Sequence, residues 1–141
     1  MSSGQDPAVV LEEGRLLLDP LMSSHGFIWR PGPIGAGSGG AFASGAFERA
    51  TRRLELHFRR SLGLVAYGLG DRSVRHESLM RVIEGARSEH RYPGFSKEPL
   101  EAFADLLHDL NRLGRFFLEG TDAELQSLMD RVRPSGRRLP S

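Results

Sequence analysis

Cysteine is missing from this 141-residue chain, which excludes a disulfide framework, a thiolate zinc site, an iron–sulfur cluster and a cysteine nucleophile. Long apolar runs are missing as well: none approaches the roughly 20 residues of a membrane-spanning helix. The opening stretch, Met1 to Glu13, carries acids and lacks the basic-then-apolar order of a secretory signal, so a cytoplasmic protein is expected. Neither charge sign is in excess. Nineteen basic against 18 acidic residues leave a net charge of +1, which suggests neither a polyanion-coating protein nor an acidic tail. Lysine is nearly absent, Lys97 standing alone among 18 arginines. An arginine-biased coding genome accounts for that ratio, and only a local cluster of arginines would point to binding.

What is present fits one domain. Thirty-nine per cent of the residues are apolar, enough for a core at this length. The domain spans 1–141, with loose ends at about 1–6 and 134–141. From Ala8 to about Ser23 apolar residues recur at helical spacing behind Asp6-Pro7, a capping residue followed by a proline for the first turn. Pro20 lacks an N–H and clashes one turn back, so the helix is expected to kink there or stop near Leu18. Phe27 to Arg30 reads as a short strand halted by Pro31, and Pro31 to Gly40, with two prolines and five glycines, reads as a loop.

Ala41 to Arg49, Arg53 to Arg59 and Leu62 to Leu69 are three short segments with turn-length gaps, the pattern of an antiparallel meander. In the middle one Leu54, Leu56 and Phe58 alternate with Arg53, Glu55, His57 and Arg59, giving one apolar and one polar face. Burying each of the three should stabilise the fold by about 1.5–3 kcal/mol, and a one-residue slip would put all three in water. Phe42 and Phe47 fall on opposite parities, which suggests a bulge at Gly45. Leu62 to Leu69 is apolar on both parities, as a central strand covered on both faces would be.

The remainder is helical. Ser73 can cap a helix to Glu84 with Leu79, Met80 and Ile83 inside and Gly85 closing it. Tyr92 to Phe95 is a Pro-Gly turn. Ser96 caps a helix whose inner stripe is Leu100, Phe103, Leu107 and Leu110, stopped by Gly114. Thr121 to Glu124 is a capping box before a last helix that ends at Pro134. Strands followed by helices indicate an α+β fold: an antiparallel sheet of about four strands, with an N-terminal helix and about three C-terminal helices packed on one face.

Motifs for chemistry are sparse. Gly35-Ala36-Gly37-Ser38-Gly39-Gly40 matches G-x-G-x-x-G, but a dinucleotide fingerprint needs a helix after it and a kinase-type loop needs a nearby strand lysine. The stretch is expected to be a connector or wide hairpin loop, whose backbone N–H groups at Gly35, Gly37 and Gly40 could still nest an anion. Asp105, His108 and Asp109 have the spacing of helical ligands, but they fall off the apolar stripe and read as a solvated acidic face, so no metal and no cofactor is expected. Glu55 and Arg59 flank His57 on the polar strand face, where a carboxylate could tune the imidazole and Arg53 and Arg59 could hold a small anion. An ordinary wet face of paired charges explains the same residues. Charge also segregates: Glu48 to Arg60 carries five arginines and two glutamates, net +3, and Glu98 to Glu124 seven acids and two arginines, net −5. Nucleic acid is not the expected partner of the basic strands, because their exposed parity lacks stacking aromatics; electrostatics with a helix or a partner protein explains the charges more simply.

Leu17 to Leu21 through Gly26-Phe27, then Phe47-Glu48-Arg49, Leu54-Glu55-Leu56 and Leu62-Gly63-Leu64, resemble small uncharacterised bacterial α+β proteins, in which a helix leads through a Gly-Phe step into an antiparallel sheet. Some of these are suspected immunity proteins of toxin loci. The resemblance covers residues 15–70 and carries no catalytic residue. Three functions are therefore carried forward. The leading one is a non-enzymatic protein-interaction domain, immunity-like inhibition being one version. Next comes a small-molecule or anion-binding domain, with enzyme activity in reserve, built on Gly35, Gly37, Gly40, Arg53, His57 and Arg59. Nucleic-acid binding by the basic sheet is third.

Overall fold

The computed structural model describes residues 6–37, 40–85, 90–92 and 98–132. The expected Tyr92–Phe95 turn after Tyr92, the Ser96 cap, the stop at Pro134 and the expected loose ends at about 1–6 and 134–141, apart from Asp6, lie outside them. The order is α1 (Pro7–Ser24), β1 (Ile28–Gly37), β2 (Gly40–Arg49), β3 (Arg52–Phe58), β4 (Leu62–Leu69), β5 (Arg72–Arg75), α2 (His76–Glu84), α3 (Pro99–Leu113), α4 (Arg115–Leu118) and α5 (Asp122–Asp130). The fold is α+β, with a five-stranded antiparallel meander in the order β1-β2-β3-β4-β5. Among the described residues no helix is long and apolar enough to cross a membrane.

The meander is organised by β3. Leu54, Leu56 and Phe58 are at most 1% exposed and pack with Phe47, Val65, Leu106, Phe117 and Leu125 in one continuous core under the helices. The period of two that defines this strand also turns Arg53, Glu55 and His57 to the other face. Phe42 and Phe47 differ in parity because they serve different faces, and β2 pairs with β3 without interruption from Ala43 to Arg49. The expected bulge at Gly45 is absent. Gly45 instead leaves room for the Trp29 ring, whose atoms come within 2.3 Å of where a Cβ would stand. The irregularities lie at Pro31/Ile34 on β1 and beside Gly63 on β4, where Phe58 pairs with Leu62 but His57 with Leu64. That extra residue lets Leu62 and Val65, of opposite parity, both enter the core.

Four other expectations are corrected. The glycine- and proline-rich stretch is not a loop: β1 runs through Pro31 and Pro33 to Gly37 and pairs Gly37 with Gly40. An edge strand tolerates proline, since the missing N–H can face away from the ladder. Residues Arg72 to Arg75 form a fifth strand, so Ser73 is in β5 and α2 starts at His76 without a side-chain cap. Helix α1 runs across Pro20 to Ser24, so it does not stop near Leu18; Leu16, whose carbonyl loses its partner, is 51% exposed and can be hydrated. Finally, α3 buries Ala102, Phe103, Leu106, Asp109 and Leu110, so Asp109 belongs to the core stripe and not to a solvated acidic face. The Asp6 cap of α1 and the Thr121/Glu124 capping box of α5 form as expected.

Candidate functional site

The outward face of the sheet is hollowed into a groove of about 330 Å³, and every residue lining it comes from β1 to β4. Register builds it. Ser44, Ala46 and Glu48 of β2 stand directly across from His57, Glu55 and Arg53 of β3, and Leu64 of β4 faces His57 from the other side. Pro31, Gly32 and Pro33 form one wall, held against the floor by the Ser44 hydroxyl, which donates to the Pro33 carbonyl at 2.8 Å. The wall exists because two residues of β1, Gly32 and Pro33, stand against one of β2, Ser44, at the Pro31/Ile34 irregularity.

Two ion pairs flank the groove. Arg53 Nε donates to Glu55 at 2.8 Å, and its Nη1 to the Gly70 carbonyl at 2.7 Å; Arg30 lies 3.5 Å from Glu48. The His57 imidazole stacks on Phe42 with centroids 5.2 Å apart and planes 14° from parallel. Phe42 is held in turn by the Arg59 guanidinium over its ring at 5.5 Å, and Arg59 Nη1 donates to the Gly40 carbonyl at 3.0 Å. Of the residues singled out from sequence, Arg53 and His57 thus line the groove. Arg59 and Gly40 steady the Phe42–His57 stack beside it, Gly35 packs against the Phe42 ring, and Gly37 closes the hairpin opposite Gly40.

Ser44 and His57 are cross-strand neighbours, but the Ser44 hydroxyl donates to the Pro33 carbonyl and not to the imidazole, whose ring face stacks on Phe42. Among the described residues no group of three His, Asp or Glu side chains converges as a metal site.

A second polar cluster escaped the sequence reading because it is buried. His76 and Asp109 are fully buried, and His76 Nε2 lies 3.0 Å from Asp109 while its Nδ1 lies 2.7 Å from the Tyr67 hydroxyl. With the carboxylate ionised, Nε2–H donates to Asp109 and Nδ1 accepts from Tyr67. Asp109 also accepts the backbone N–H groups of Arg91 and Tyr92 at 2.7 and 2.8 Å. Burial pushes the Asp109 carboxyl up, but the hydrogen bonds from His76, Arg91, Tyr92 and His108 outweigh it and hold the group below its ordinary range. Tyr67 is pushed well up by burial and by the Asp109 charge. The cluster joins β4, α2, α3 and the 91–92 segment. With His76, Asp109 and Tyr67 all fully buried, no substrate reaches it, and its role is structural. Its sequence signal was available: Asp109 lies three residues after Leu106 and one before Leu110, within the buried stripe.

The arginines of the basic segment are largely spoken for. Arg52, 4% exposed, donates to the carbonyls of Phe117 and Gly120 and pairs with Asp122 at 2.9 Å. Arg49 donates to the carbonyls of His25 and Leu118. Among the helical acids, Asp109 and Asp122 are likewise used inside the fold, and Glu119 accepts from His25 at 3.1 Å. That hydrogen bond, with Arg115 adding to it, holds the Glu119 carboxyl below its usual range. The cleft of about 430 Å³ around His25, Arg115 and Glu119 lies at the C-terminal ends of α1 and α3, where cations compensate exposed carbonyls. Val9, Leu16 and Leu17 form an exposed apolar strip on α1.

Compared with known proteins, the chain matches no family model, no curated protein and no solved structure.

Proposed function

We propose that this chain is a non-enzymatic protein-interaction domain that takes a segment of its partner into the groove on the outward sheet face. The groove is the observation that carries this reading. An ordinary wet sheet face needs only polar side chains, whereas here the Pro31–Pro33 segment, small floor residues and Leu64 border an open groove. The uncoupled Ser44 and His57 favour binding over reaction. Immunity-like inhibition is one form such an interaction takes, since an inhibitor needs a rigid complementary surface and no chemistry; a bacterial cytoplasm is the setting that goes with it. Binding of a small anion is the second reading, favoured by Arg53 and His57 lying on one groove, and weakened because Glu48 and Glu55 stand beside the arginines. Nucleic-acid binding has least support, because Arg49, Arg52, Arg53 and Arg59 are engaged within the fold.

The test is selection of peptides from a displayed random library, followed by amide chemical-shift mapping on the isotope-labelled protein. Shifts should cluster at Ser44, Ala46, Glu55, His57 and Leu64, and Leu64→Arg should abolish them without moving the melting temperature. Failure to enrich any peptide, or shifts confined to α1, overturns the proposal.

A further inference from the structure

Besides holding β4, α2 and α3 together, the buried cluster is open to one kind of chemistry, because an electron, unlike a substrate, needs no channel to reach it. We propose that Tyr67 is a one-electron redox site: an outer-sphere oxidant takes an electron from the phenol while the phenolic proton passes to His76, leaving a neutral tyrosyl radical beside an imidazolium.

The placement of the proton carries this. A phenol that loses an electron becomes a very strong acid, so in a dry core it is oxidised readily only where a base already shares its hydrogen bond. Tyr67 has such a base. Its hydroxyl lies 2.7 Å from His76 Nδ1, and Nδ1 is the unprotonated nitrogen because Nε2–H donates to Asp109 at 3.0 Å. In the step the O–H bond breaks, an Nδ1–H bond forms, and the electron leaves with the oxidant. The new imidazolium charge meets the Asp109 carboxylate. Asp109 is already fixed for that task by the backbone N–H groups of Arg91 and Tyr92 at 2.7 and 2.8 Å, so little has to reorganise when the charge appears. Burial and the Asp109 charge push the ionisation of the phenol itself well up, so no phenolate forms first and electron and proton leave together.

The surroundings favour a radical that persists. Tyr67 and His76 are fully buried, and the phenol ring packs against Phe117 and Phe116 with centroids 4.8 and 5.5 Å away. Phenylalanine is harder to oxidise than tyrosine, so these rings shield the radical without taking it over. A domain of this length has a radius of gyration of about 14 Å, which keeps the ring out of water yet near an oxidant at the surface. Tyr92 supplies the contrast. It is also buried, but its hydroxyl donates to the Leu62 carbonyl at 2.5 Å, an oxygen that does not keep a proton. Of the two tyrosines in the chain, Tyr67 is the one bonded to a base.

Flash-generated tris(bipyridine)ruthenium(III) is the oxidant for the test, read by transient absorbance and electron paramagnetic resonance. A tyrosyl signal should form in the protein and in Tyr92→Phe and be lost in Tyr67→Phe. Its formation should slow in heavy water, and by on the order of a hundredfold in His76→Gln. Glutamine still accepts the hydrogen bond through its amide oxygen but does not keep the proton, so a merely structural contact would not predict that loss. If His76→Gln does not fold, the heavy-water effect and Tyr67→Phe decide. A tyrosyl signal that survives Tyr67→Phe or vanishes in Tyr92→Phe overturns the proposal. So does an indolyl signal from Trp29 alone, or a formation rate that neither heavy water nor His76→Gln changes. None of these outcomes bears on the groove.

Discussion

Removing the Asp109 carboxylate should do more damage than any other single change to a polar side chain of this fold. In Asp109→Ala the backbone N–H of Tyr92 and the Nε2–H of His76 lose their acceptor inside the core, and the N–H of Arg91 loses its own at the margin. An orphaned buried donor costs about 1–3 kcal/mol, and two are left inside the core, already a large part of the roughly 5–15 kcal/mol that holds an ordinary domain together. Tyr67→Phe is the graded control, since it removes only the hydroxyl that donates to His76 Nδ1 and should cost about 1–3 kcal/mol. Urea unfolding followed by the single tryptophan, Trp29, reads both. The sign of the pH effect follows from the depressed carboxyl. Its contribution is complete above the unfolded value near 3.9 and disappears as pH falls through the lower folded value. The gap in stability between the protein and Asp109→Asn should therefore narrow on acidification below about pH 4. A cost under about 1 kcal/mol for Asp109→Ala, or a gap that does not change with pH, would refute the buried network.

Three further outcomes follow from the same physics. Gly14→Ala, which in an open helix would stabilise by up to about 1 kcal/mol, should here destabilise by about 1–3 kcal/mol, because the new Cβ meets the Phe103 ring at 2.5 Å; thermal denaturation gives the sign. Arg52→Lys should lower stability by about 1–3 kcal/mol in urea unfolding, since an ammonium cannot serve Asp122 and the carbonyls of Phe117 and Gly120 together. Tyr67 and Tyr92 are the only tyrosines, and burial raises both, the Asp109 charge adding at Tyr67 and Glu77, against Arg75, at Tyr92. Their contribution to stability is whole below about pH 10, the unfolded value, and declines above it. Absorbance titration should show no tyrosinate until the fold opens, and then both together.

Much of the sheet was legible because its signal is local. The alternation of Leu54, Leu56 and Phe58 against Arg53, Glu55 and His57 is a period that only one backbone conformation uses, and a single apolar face permits only one register. Pro31 and Pro33 hid the rest of β1, because the rule against proline in strands applies to interior ones, and the sequence does not say which strand is the edge. Arg72 to Arg75 is too short and polar to declare itself; it is a strand because Leu69 to Ala66 offers it a ladder. Asp109 could have been placed in the core by its spacing from Leu106 and Leu110, but its partners at residues 76, 91 and 92 are not announced by the chain around it. At the groove, Arg53 and His57 were found by facing direction alone. The proline wall and the Phe42 brace depend on the Pro31/Ile34 irregularity and the β2–β3 register, which emerge only when the strands are paired.

The groove on the outward sheet face is the proposed interaction surface. A crystal structure with a display-selected peptide tests that most directly. The expected density is a peptide segment seated in the groove against Ser44, Ala46, His57 and Leu64. A peptide seated on the Val9/Leu16/Leu17 strip of α1, with the groove left to solvent, would contradict it.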